Sequence, residues 1–195
     1  MGKIDRVDVC DDKFVLVDYK TGNVSFSENE LYAGKKLQLL TYVKACLQAM
    51  QKQCAGFFYL PVNDAFQEEK GKRFCYVGRV QNDAETIYQL DTNSRQTGES
   101  SLFGKKLTKD GVLGGNTSMG INQQQLQIYL DYTQQMLQNA IKDMADGFVE
   151  QHPAKSACDF CDYLQVCNYQ DLGGQEDNVS DISLKTLAEV TDNEI

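Results

Sequence analysis

Two acids and a lysine near the start of the chain have the spacing of a hydrolytic centre. In FVLVDYKTG, Phe14 to Gly22, an apolar run ends in Asp18, Tyr19 and Lys20. Residues two apart in a strand share a face, so Asp18 and Lys20 point one way and Tyr19 the other. A hairpin turning at Cys10-Asp11-Asp12-Lys13 brings Asp5 near Asp18. Two carboxylates suit a hard divalent cation, Mg2+ or Mn2+, whose shell a substrate phosphate completes. Such an ion polarises the phosphoryl group and acidifies an attacking water, while Lys20 orients that water or stabilises charge on the phosphate. This is the chemistry of phosphodiester hydrolysis. Gln38 and Tyr42, four apart and so on one helical face, can hold a metal-bound water and a phosphate oxygen. Each residue also has an ordinary explanation. An Asp–Lys pair at a strand end is commonly a solvated salt bridge, and a Gln–Tyr pair is commonly the polar rim of a helix.

A second cluster lies far downstream. ACDFCDYLQVC sets Cys158, Cys161 and Cys167 at C-x2-C-x5-C spacing, and three thiolates leave one position of a four-coordinate centre to fill. In a cytosolic chain a metal-type centre is expected here rather than a disulfide. Zinc with His152 as fourth ligand is one form of it, although a single histidine there also reads as an ordinary loop residue. Cys10, Cys46, Cys54 and Cys75 are scattered through apolar or helical contexts, where free cysteine acts as a small hydrophobe.

The elements that must position these groups follow from periodicity. KIDRVDV and FVLVDYK read as the arms of the hairpin. Leu37, Leu40, Val43, Leu47 and Met50 recur at helical spacing, giving an amphipathic helix from about Lys35 to Gln53. GFFYLPV and RFCYVGRV read as strands flanking a charged turn at Glu68 to Lys72, with a weaker strand at Thr86 to Leu90. Residues 92–120, rich in Gly, Ser, Thr and Asn, read as loop with a short hairpin. A long helix is capped by Asn122 and Gln125, stapled by Ile121 and Leu126 and closed by Gly147; Leu126, Tyr129, Leu130, Met136, Leu137, Ala140, Ile141 and Met144 form its apolar face.

The 195 residues, 42% hydrophobic, can bury a sizeable core. No apolar run is long enough to span a bilayer and the N-terminus lacks the core of a signal peptide, so a cytoplasmic location is expected. A net charge of -9 excludes a protein that binds nucleic acid by bulk attraction. Residues 171–195 hold seven acids against one base, Lys185, and read as an acidic tail, disordered or only loosely docked.

Taken together, GKIDRVD, VDYKTG and LQLLTY resemble the G-x-x-D, D-Y-K and Q-x-x-x-Y signatures of the RecB-like branch of PD-(D/E)XK nucleases, in the same order. The resemblance implies an α/β fold, a RecB-like restriction-endonuclease-type core with a mixed central sheet flanked by helices. It implies Asp5 and Asp18 as metal ligands, with the Tyr19 carbonyl as a third, Lys20 as the catalytic lysine, and Gln38 and Tyr42 as the helix motif behind the site. AGFFYLPVND and GFVEQHPAKSACDFCDYLQVCNY extend the likeness, over roughly residues 2–170, to the B subunits of bacterial AddAB helicase-nucleases.

That branch implies a nuclease domain over 1–170 and, in the full-length protein, a [4Fe-4S] cluster on Cys158, Cys161, Cys167 and a fourth cysteine that lies upstream of the strands and is missing from this sequence, structural rather than redox-active. It implies a chain truncated at the family's N-terminal helix, hence a C-terminal piece of a longer subunit. The implied activity is that of a Mg-dependent DNA exonuclease that processes double-strand-break ends for recombinational repair, partnered by DNA and a helicase-nuclease A subunit, with no membrane. Two alternatives are a stand-alone CRISPR-associated RecB-like exonuclease and a non-catalytic, metal-stapled DNA-binding module whose acids form only salt bridges.

Overall fold

Alternating β-branched and aromatic residues build the sheet that carries the site. A computed structural model describes residues 2–22, 24–62, 74–115, 117–159 and 161–192. β1 (Arg6–Cys10) and β2 (Lys13–Lys20) pair antiparallel, Arg6 opposite Val17 and Cys10 opposite Lys13. Asp11 takes the left-handed conformation that closes the turn, φ 52°, one that Asp tolerates better than most residues. α1 (Glu28–Tyr32) and α2 (Leu37–Met50) follow, and β3 (Gln53–Pro61) then pairs parallel with β2. A parallel neighbour requires such a crossover, and α2 supplies it.

β4 (Val77–Gln81) runs antiparallel to β3, and the short β7 (Gly120–Ile121) parallel to β4, giving a mixed five-stranded sheet in the order β1-β2-β3-β4-β7. Between β4 and β7 lie α3 (Ala84–Leu90), α4 (Ser94–Thr97) and a small ladder of β5 (Glu99–Ser100) with β6 (Lys105–Lys106). α5 (Gln123–Asp146), α6 (Leu164–Cys167) and α7 (Leu184–Asp192) complete the chain.

The pleat sorts β2 between two cores. Phe14 and Leu16 face the layer built by α2, α5 and α7, where Leu39, Leu40, Val43, Leu126 and Tyr129 are buried. Val15 and Val17 face the opposite layer with Phe58, Ile87, Phe103 and Leu113. Continuing the alternation, Asp18 and Lys20 emerge on the α2 side.

The hairpin, α2 and α5 form where their patterns place them, and the α5 capping box closes in both directions, Gln125 N–H to Asn122 and Asn122 N–H to Gln125, each at 2.9 Å. Four expectations change. The strand at Thr86 to Leu90 is instead α3: the Asp83 carboxylate caps it by accepting the Thr86 N–H at 2.9 Å, and this outweighs the β-propensity of Thr-Ile-Tyr. Val77 opens β4, and Phe74, at φ 61°, turns before it; Arg73 and the turn at Glu68 to Lys72 lie outside the described residues. The apolar face of α5 is buried only in its first half: Leu126, Tyr129 and Leu130 are buried against α2 and α7, while Ile141 and Met144 are 63% and 73% exposed. Finally, the acidic tail docks. Ser183 caps α7, Leu187 is fully buried in the α2–α5 layer, and the Ile182 N–H reaches Asn29 Oδ1 at 2.8 Å.

Candidate active site

β2 delivers Asp18 to the sheet rim with only 4% of its surface exposed. Lys20 Nζ lies 2.5 Å from Asp18 Oδ2. Among the described residues no other donor reaches that buried oxygen. A buried carboxylate oxygen in that condition suits a cation, which needs no donor geometry. Asp5 stands just ahead of β1, and extending the Arg6–Val17 register sets it opposite Asp18. Its Oδ2 accepts the Tyr19 N–H at 3.0 Å, which holds the two acids about one peptide unit. The Tyr19 side chain turns to the other face, as period two requires, within 3.4 Å of the Arg6 guanidinium.

On α2, Gln38 Nε2 donates to the Tyr42 hydroxyl at 3.2 Å, a contact set by their four-residue spacing. A Cβ at Gly2 would lie 3.0 Å from the Tyr42 ring, so the segment leading into β1 runs along this pair. Among the described residues no hydrogen bond joins Gln38 or Tyr42 to Asp5, Asp18 or Lys20.

Three neighbours escaped the sequence reading. Tyr59 pairs with Asp18 across β2 and β3. Burial, then the charges of Asp18 and Glu30, push its phenol up to about 12, so it remains neutral. Lys20 and Lys36 both stand over its ring, their Nζ atoms 5.6 and 5.5 Å from the centroid. Lys36 also lies 3.6 Å from Glu30, whose carboxylate accepts from Ser25 at 2.9 Å and Ser27 at 3.2 Å. Tyr59 could have been found by extending the parallel register; Lys36 and Glu30 lie in a loop that carries no periodic signal.

That loop is anchored from below. Arg79, 3% exposed, donates to Glu28 at 2.7 Å and to the Tyr129 hydroxyl at 3.1 Å, and stacks 4.8 Å from the Phe26 ring; Tyr129 in turn donates to Glu28. Burial alone would push the Glu28 carboxyl up, but the bonds from Tyr129 and Arg79 and the guanidinium charge outweigh it, and the carboxyl sits below its ordinary range. The segment between Lys20 and Gln38 is thereby tied to β4 and α5.

Cys158, Cys161 and Cys167 line one pocket with Leu164 and Tyr169, a donor set suited to zinc or an iron-sulfur centre. None of the other four cysteines lines it, and among the described residues no group of three Cys, His, Asp or Glu side chains is drawn into metal-ligand geometry. His152 is not part of that pocket; it stacks on Phe148 and lies 3.5 Å from Glu150. The Glu176 carboxylate accepts the Ser156 and Cys158 N–H groups at 2.7 and 3.0 Å, and Lys35 donates to the Lys155 carbonyl at 2.9 Å.

The sequence profile of the PD-(D/E)XK nuclease superfamily matches residues 1–168. The chain belongs to that superfamily. Its mixed sheet with flanking helices is the α/β nuclease core expected of a PD-(D/E)XK member, and Asp18-Tyr19-Lys20 stands at its rim. Among curated proteins, this nuclease domain is similar to the B subunits of the ATP-dependent helicase/deoxyribonucleases of Bacillus thuringiensis (strain Al Hakam) and Bacillus anthracis, each 28% identical, and of Bacillus cereus (strain G9842), 27% identical. Each alignment covers 100% of this chain and 18% of the relative, so the chain spans about a fifth of their length. No helix among the described residues is long and apolar enough to cross a membrane.

Proposed function

We propose that this chain is the nuclease module of a helicase-nuclease, a divalent-metal-dependent DNA exonuclease that trims double-strand-break ends for recombinational repair. One observation carries the reading: the Asp5 carboxylate bonded to the Tyr19 N–H beside a buried Asp18 whose Oδ2, among the described residues, meets only the Lys20 ammonium. Asp5, Asp18 and the Tyr19 carbonyl would hold Mg2+ or Mn2+. When bound, the ion supplies charge neutralisation at the phosphoryl oxygens and a water acidic enough to attack. Lys20 stabilises charge developing on the phosphate, and the Gln38–Tyr42 pair orients water and a phosphate oxygen from α2. The partners are DNA and a helicase-nuclease A subunit, a reading supported by the names of the relatives, which join helicase to deoxyribonuclease and designate a B subunit.

The three thiols at Cys158, Cys161 and Cys167 are assigned to a [4Fe-4S] cluster whose fourth ligand comes from elsewhere; its role is to pin the C-terminal segment to the nuclease core.

The decisive test is cleavage of linear duplex DNA by Asp18→Ala and Lys20→Ala proteins, with Mn2+ binding measured by calorimetry. Both variants should lose cleavage, and Asp18→Ala should also lose the high-affinity Mn2+ site. Retained cleavage refutes the assignment. Iron and sulfide analysis tests the cluster separately: zinc without iron would overturn that part alone.

A further inference from the structure

We propose that Lys36 is a second phosphate-binding residue, gripping the phosphate next to the one held at Asp5, Asp18 and Lys20, so that the site takes a strand with at least two consecutive phosphates. The proposal rests on the nuclease reading of that site and adds to it the length of backbone recognised.

Tyr59 makes the argument. Its ring lies beside Asp18 and carries two ammonium groups at nearly equal distance, Lys20 at 5.6 Å and Lys36 at 5.5 Å. An aromatic face steers and partly desolvates a cation without cancelling its charge, which a carboxylate partner would do. Lys20 is paired with Asp18 at 2.5 Å, whereas the ring leaves the Lys36 ammonium to meet an anion. Glu30 is an ion-pair neighbour of Lys36 at 3.6 Å, beyond hydrogen-bond length, so it leaves the donors of the ammonium unspent. An ammonium has three donors, and no donor bond from Lys36 is seen among the described residues.

Charge balance gives the pairing its use. A chain with a net charge of -9 repels a polyanion, so attraction to phosphate has to be local. The first turn of α2, which Lys36 precedes, holds no acidic residue. With Lys20 committed to Asp18, Lys36 is the second ammonium beside the Tyr59 ring and the one offered to a neighbouring phosphate.

The test uses single-stranded oligonucleotides, each with one neutral methylphosphonate moved stepwise along the strand, bound in Ca2+ and followed by fluorescence anisotropy. Lys36→Ala should weaken binding severalfold and reduce the salt slope by about 0.7, the value for one phosphate on a single strand. Wild type should lose affinity when the methylphosphonate sits beside the cleaved bond, Lys36→Ala should be indifferent to that position, and Lys36→Arg should restore the sensitivity. Lys36→Gln, which keeps most of the stem, serves if the alanine variant lowers the urea midpoint. A wild-type slope in Lys36→Ala, or a loss spread evenly over all positions, overturns the proposal. Cleavage by Lys20→Ala would instead overturn the nuclease reading, so the two failures are distinct.

Discussion

Glu28→Gln should destabilise the protein by about 3 kcal/mol. Removing one partner of a buried ion pair typically costs about 3–5 kcal/mol, because the remaining charge is stranded. The lower end applies because the Glu28 side chain retains 19% exposure while that of Arg79 retains 3%. For a chain of this size the loss corresponds to a fall in Tm of about 6–12 °C. The sign with pH follows from the depressed carboxyl. A group whose folded pKa lies below its unfolded value, about 4.3, stabilises above that value and ceases to do so as pH falls through the folded pKa. The gap between wild type and Glu28→Gln should therefore be full near neutrality and shrink at pH values below about 4.

Urea unfolding followed by far-UV circular dichroism, repeated across that range, measures the gap with other titrating groups common to both proteins. Adding Arg79→Met to Glu28→Gln should recover part of the loss, since the stranded cation is then gone. A cost under about 1 kcal/mol, or a gap as large at acid as at neutral pH, refutes the idea that this charge pair pins the loop.

Three further outcomes are expected. Gly78→Ala should lower the urea midpoint sharply, by about 3 kcal/mol or more, because its Cβ would stand 2.0 Å from the Phe57 carbonyl oxygen, a backbone atom that cannot swing aside. Leu187→Ala should cost about 2–5 kcal/mol in the same assay, as for other fully buried leucines, although it lies in a mostly acidic tail. Asp5→Asn should keep the acceptor for the Tyr19 N–H and hence the thermal midpoint within about 2 °C, yet weaken Mn2+ binding in calorimetry; an unchanged Mn2+ affinity would remove Asp5 from the ligand set.

What could be read beforehand was local. The hairpin register, the α5 caps and the shared face of Asp18 and Lys20 depend on residues a few positions apart, or on a turn whose chemistry is explicit. The four-residue step from Gln38 to Tyr42 is of the same kind. What could not be read depends on meetings between distant segments. Arg79 finds its partners 51 residues before it and 50 after, and no strand pattern announces a buried guanidinium. α7 was obscured by its acids, although Leu184, Leu187 and Val190 carry a helical spacing. At α3 the aromatic and β-branched composition concealed a capping aspartate, which was the better signal. The exposed end of α5 depends on how far α2 and α7 pack along it, a tertiary fact.

The Arg79–Glu28–Tyr129 anchor also dictates an order of events during synthesis. Every residue assigned to the acidic centre precedes β4 and α5 in the chain, so the strap between Lys20 and Gln38 stays unmoored until those two elements are made. The acidic groups are thus translated before the partners that fix their strap, and their arrangement becomes rigid only after β4 and α5 have joined the sheet and its helical layer.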